Sequence, residues 1–106
     1  MKKIISLFML MVVLAAMLTG FAYAADDEIT IGVFEPVTGE NGGGGFQEVL
    51  GIRYANEVYP TVEAGGKTYK INLFEVDNKS DKTEAVTAAQ SLVSKGVKAV
   101  VGSYGS

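Results

Sequence analysis

The chain has 106 residues, 48% of them hydrophobic, with 12 acidic against 9 basic side chains and a formal net charge of −3. An acidic chain without a basic cluster is a poor match to nucleic acid or to anionic lipid. It contains no Cys and no His, which excludes a disulfide framework, zinc and haem sites, the Ser-His-Asp triad and the Cys-His dyad.

At the start, Lys2 and Lys3 precede an apolar run from Ile4 to Leu18 that is broken only by Ser6, and Ala22-Tyr23-Ala24 supplies a small-x-small site. This is the pattern of an export signal, with an apolar run short for a membrane span. Residues 1–24 are therefore expected to be a signal peptide, cleaved after Ala24, and residues 25–106 to act in a periplasm or in secreted form. Leu18-Thr19-Gly20-Phe21 looks like a lipoprotein processing site with Phe21 where the lipidated Cys would stand. A soluble product without a lipid anchor is expected.

Glu28 to Phe34 alternates and is rich in Ile and Val, which predicts a first strand. Glu35 to Gly45 reads as a loop, punctuated by Pro36 and Gly39 and ending in four glycines, Gly42 to Gly45. Phe46 to Tyr59 is expected to be a helix with Phe46, Leu50, Tyr54, Ala55 and Val58 as its apolar stripe. Gly51 is expected to let that helix approach a neighbour closely, and Pro60 to end it. Glu63 to Thr68, containing Ala64-Gly65-Gly66, reads as a turn before a second strand, Tyr69 to Asp77.

Asp81 with Glu84 three residues on predicts a helix opened by a capping box in its Asp variant. Ala85, Val86, Ala89, Leu92 and Val93 form the stripe, and Lys95-Gly96 stops the helix. Val97 to Gly102 is the third strand. It lacks any following element to cover it, so residues 25–106 read as the front portion of a larger protein.

The order βαβαβ implies an α/β fold with a parallel sheet, right-handed crossovers and helices covering it. Ligands bind beyond the carboxyl ends of such strands. Three segments lie there: Glu35 to Gly45, Asp77 to Ser80 and Gly102 to Ser106.

The glycine run resembles an anion cradle, but no Gly-x-Gly-x-x-Gly can be written through it and no Lys follows. It is either a flexible loop or one that brings backbone close to a small carboxylate. Gly65-Gly66-Lys67-Thr68 imitates the end of a P-loop, yet Thr61 stands where the first glycine belongs and the flanking elements are reversed. Asp77 and Glu35, at strand ends, are better suited to capping loops than to acid–base work, since neither has a visible partner. Gly102-Ser103-Tyr104-Gly105-Ser106 presents N–H and O–H donors fit for a carboxylate or amide, and Tyr104 offers a stacking face. Ser without His is a poor nucleophile, so binding is favoured over catalysis.

Ile29-Thr30-Ile31-Gly32-Val33-Phe34-Glu35-Pro36-Val37-Thr38-Gly39 resembles the opening strand and loop of type I periplasmic binding proteins, above all the branched-chain amino acid (Leu/Ile/Val) receptors of ABC importers. The likeness continues through Gly51, Asn56-Glu57, Gly65-Gly66, Asp77-Asn78, Ala85-Val86, Ala88-Ala89, Gly96-Val97 and Val100-Val101-Gly102. It implies a two-lobed Venus-flytrap clamp of which residues 25–106 form the start of lobe I, a binding role with no catalytic step and no cofactor, and an ABC permease as partner. It also implies that Ser106 binds a ligand carboxylate, with Tyr104 and Gly105 beside it. Gly44 falls where the family packs an aromatic residue near the ligand, which predicts a more open cleft unless Phe46 substitutes. An amide, urea or aromatic acid is the alternative ligand. A ligand-sensing domain of the same fold is the alternative role, and an enzyme on this frame comes third.

Overall fold

The computed structural model describes residues 2–19 and 27–105. The elements in chain order are α1 (Lys2–Thr19), β1 (Glu28–Glu35), α2 (Gly42–Val58), β2 (Thr61–Ala64), β3 (Lys67–Asp77), α3 (Lys82–Lys95) and β4 (Ala99–Val101). The apolar N-terminal run is helical as α1, and the Ala22 to Ala24 cleavage site lies outside the described residues. Among the described residues no helix is long and apolar enough to cross a membrane.

One sheet holds the strands in the order β2-β3-β1-β4. β1 sits inside it, parallel to both neighbours, with Glu28 opposite Lys70 through Glu35 opposite Asp77 on one side and Ile31 opposite Ala99 on the other. Burial on both faces explains its Ile- and Val-rich composition. The β1-α2-β3 and β3-α3-β4 crossovers step in opposite directions from one sheet, so right-handedness puts α2 and α3 on opposite faces. Successive β1 residues face them in turn. Leu92 of α3 lies over Gly32, where an added Cβ would come within 2.8 Å of its Cδ2. On the alternate face are Val33 and Glu35.

The core is small: Val33, Val49, Ala88 and Leu92 are the buried apolar side chains among the described residues. Each of the larger ones contributes about 1.5–3 kcal/mol by leaving water.

Several expectations are corrected. The segment from Glu63 to Thr68 is not a bare turn: Thr61–Ala64 and Lys67–Lys70 pair antiparallel across Gly65-Gly66, adding an edge strand to the parallel sheet. The glycine run is not loop but the first turn of α2, which starts four residues before the expected Phe46. Tertiary fit overrides propensity here. Gly45 lies against the Pro36 carbonyl and Gly42 against that of Val37, so close that side chains would collide. The α2 stripe is also displaced. Its buried residues are Gly42, Gly45 and Val49, while Phe46, Leu50, Tyr54 and Val58 are exposed. Gly51 approaches nothing, with no atom within 4 Å of a Cβ built there.

Helix α3 keeps its expected ends, but of its expected stripe Leu92 alone is buried: Val86, Ala89 and Val93 are exposed, and Ala88 is buried in their place. The Asp81 carboxylate accepts from the Thr83 and Glu84 N–H groups, both at 2.9 Å, and the Gly96 N–H bonds back to the Leu92 and Val93 carbonyls. Only half of the capping box forms. The Asp81 N–H donates to the Asn78 carbonyl, and Glu84 pairs with Lys79 at 3.4 Å.

Candidate functional site

The three loops at the carboxyl ends of β1, β3 and β4 meet and are tied together by polar side chains. Asp77, the last residue of β3, accepts from the Val37 N–H at 2.8 Å, the Lys79 N–H at 2.8 Å and the Thr38 hydroxyl at 2.7 Å. The capping role expected of it is what the geometry provides. Burial pushes the Asp77 carboxyl up, but the Thr38 hydroxyl and the Val37, Lys79 and Thr38 N–H groups outweigh it and hold it below its ordinary value of 3.8. The stability these bonds contribute is present above that value and is lost as pH falls through the lowered one.

Ser80 makes the second tie, accepting from the Asn41 N–H and donating to the Thr38 carbonyl, both at 3.0 Å. Asn78 makes the third. It is nearly buried, its Oδ1 accepts from the Ser80 N–H at 3.0 Å, and its Nδ2 donates to the Ser103 hydroxyl at 3.2 Å. These short polar side chains give each loop a partner on another loop, which is why the C-terminal edge holds one shape.

Glu35 reaches the loop after β4 from below. Its side chain is wholly buried, and its Oε2 accepts from the Tyr104 N–H at 2.7 Å. Burial raises this carboxyl above its ordinary 4.5; the Tyr104 N–H works against the rise, and the neighbouring Glu48 carboxyl adds to it. Gly102 lets the loop pass over Glu35. Its φ is +139° and a side chain there would run into the Phe34 carbonyl.

The Tyr104 ring lies directly on Gly44, filling the space that a side chain at residue 44 would enter. An open cleft at Gly44 was the expectation; in its place an aromatic group stands there, delivered from the β4 loop. Tyr104 and Gly105 also line a crevice of about 200 Å³ with Asn41, Asn78, Ser80 and Lys82. The lining mixes the Lys82 ammonium, the Asp81 carboxylate and the Asn41 and Asn78 amides with the Tyr104 ring, which suits a small molecule that carries both charges and a modest apolar body.

The structure thus brings Gly44, Tyr104 and Gly105 together. Phe46 is two residues along α2, about 200° round the helix from Gly44, and does not line the crevice. Ser106 lies outside the described residues. Asn78 and Ser80, which tie the loops, escaped sequence reasoning although the Asp77 to Ser80 loop was marked. The available signal was an Asn two residues before a Ser, the spacing of an Asx turn. Glu35 had no signal, because its burial depends on Gly102 passing above it.

A family described as periplasmic binding protein matches residues 28–106. The Leu/Ile/Val-binding protein homolog 3 of Brucella melitensis is 42% identical over 84 residues, which cover 78% of this chain and 22% of that protein. The crystal structure of a leucine-binding protein, LivK, of Thermotoga maritima superposes with a TM-score of 0.63 at 33% identity, covering 70% of this chain and 20% of that one. The chain spans about a fifth of the length of the relatives it matches.

Proposed function

The chain belongs to the periplasmic binding protein family, and we propose that residues 25–106 open the first lobe of an extracytoplasmic receptor that delivers an amino acid of the Leu/Ile/Val type to an ABC importer. The observation that carries this reading is the crevice at the C-terminal edge, where Tyr104 and Gly105 meet Asn41, Asn78, Asp81 and Lys82. The relatives from Brucella and Thermotoga, a Leu/Ile/Val-binding protein homolog and a leucine-binding protein, support the ligand class.

On this reading the protein performs no bond chemistry. Residues 1–24 serve as a signal peptide removed after Ala24, and the product is soluble in the periplasm. The β4 loop takes the ligand carboxylate, with Ser106 and the neighbouring N–H groups as donors and the Tyr104 ring beside the aliphatic part. A second lobe closes over the ligand, and the closed form docks on the permease.

Calorimetric titration of the full-length protein with a panel of amino acids tests the reading. A hydrogen bond to a charged group contributes about 1.5–3 kcal/mol, so Ser106→Ala is expected to weaken binding by roughly ten- to a hundredfold and to leave the thermal midpoint of the unliganded protein in place. Unchanged affinity removes Ser106 from the site. Binding of amides, urea or aromatic acids in preference to amino acids moves the ligand class.

A further inference from the structure

Ligand capture as just described makes no use of the Glu35 carboxyl, which is the largest fully buried side chain of the described residues. Its Oε2 holds the Tyr104 N–H, and its Oε1 has no hydrogen-bond partner. An anion there would be buried with a single donor, an arrangement that proteins avoid. The neighbouring groups do not neutralise it. From α2, Glu48 lies within hydrogen-bonding reach. From β3, Asp77 is the register partner of Glu35, with its carboxylate occupied by Val37, Thr38 and Lys79. No lysine or arginine among the described residues pairs with Glu35. One proton on Oε1 resolves the whole arrangement: the carboxyl O–H donates to the Glu48 carboxylate, and Oε2 still accepts from Tyr104.

We propose that Glu35 is a positioning residue that holds Tyr104 on Gly44, and that it does so in its protonated form. The inference rests on the reading of the β4 loop as part of the ligand site. When the proton leaves, two carboxylates face each other, one of them without water, and the strain is relieved by the loop lifting away. The upward shift of the Glu35 carboxyl agrees in sign. A carboxyl whose folded value is raised adds stability below its ordinary value, and that stability is lost as pH rises towards the folded value. The Tyr104 ring then loses its seat, and the apolar wall of the crevice goes with it.

The test follows two readouts in the full-length protein between about pH 4 and pH 8, across the carboxylate range and above it. One is the NMR shift of the Tyr104 amide proton and the other is calorimetric affinity for L-leucine, in the wild type, Glu35→Gln and Glu35→Ala. In Glu35→Gln the amide oxygen accepts from Tyr104 and the amide N–H donates to Glu48, which imitates the protonated state at every pH. The wild-type amide proton is expected to sit at a hydrogen-bonded position at low pH and to leave it with one inflection. L-leucine affinity falls about tenfold over the same interval, the equivalent of one pKa unit. Glu35→Gln removes the inflection and keeps the low-pH affinity throughout, whereas Glu35→Ala weakens binding at every pH. A pH-invariant Tyr104 amide in the wild type overturns the inference, as does a Glu35→Gln protein whose Tyr104 amide still titrates. If the inflection is present and Gln abolishes it but the wild type binds no L-leucine, Glu35 keeps its role and the assigned ligand class falls.

Discussion

Helices α2 and α3 cover opposite faces of one sheet and are held there by different means. α3 carries its own instructions: an Asp81 cap, a Gly96 stop, and Ala88 and Leu92 buried one turn apart. α2 starts with four glycines, has no side-chain cap at Asn41, and buries Gly42, Gly45 and Val49. Glycine costs about 1 kcal/mol relative to Ala in a helix interior, so four in the first turn would not start a helix unaided. What fixes that turn is fit, with Gly45 against Pro36, Gly42 against Val37 and Gly44 beneath Tyr104. A helix encoded locally can be placed anywhere on the sheet. One encoded by contact belongs to the site it touches.

The difference can be broken most forcefully in α3. Leu92→Ala empties the space over Gly32 and is expected to cost about 3 kcal/mol, read as a lower urea midpoint of the full-length protein. A loss under about 1 kcal/mol would mean that the caps, not the buried face, hold α3. In α2, Gly45→Ala separates propensity from contact by its sign. Propensity alone predicts a gain of about 1 kcal/mol; collision with the Pro36 carbonyl predicts a loss of about 2 kcal/mol. A midpoint that rises would show that Gly45 can move off Pro36 without consequence. The smallest effect is expected at Gly51, further along the same helix and facing open space. Gly51→Ala is expected to stabilise by about 1 kcal/mol, and a loss there would reveal a neighbour that this surface acquires in the full-length protein.

The same contrast explains what could be read in advance. β1, the core of β3 and the extent of α3 were legible, because the strands repeat apolar residues at the period of their backbone and α3 carries terminal signals; its buried face was not, since Val86 and Val93 are exposed and Ala88 is buried. The meeting of the three loops was legible too, since parallel strands leave their loops at one edge. The β2–β3 hairpin was missed despite a usable signal, a Gly-Gly pair between the alternating runs Thr61–Ala64 and Lys67–Lys70. The start and the buried face of α2 were not legible, since the large residues Phe46, Leu50 and Tyr54 mimic a core stripe while the contact face is built from glycine. The seating of Tyr104 on Gly44 joins residues 60 positions apart, and no local pattern carries it.

The shared space at Gly44 and Tyr104 also limits the order in which these two residues can change. A side chain at 44 and a ring at 104 claim the same volume, so a descendant can carry one or the other but not both in these places. To move the aromatic wall from the β4 loop to α2, the ring at 104 must first be lost, and the intermediate has a widened crevice. To enlarge residue 44 first is blocked by collision with the ring. The order of substitutions is thus constrained: the ring is lost before residue 44 can grow.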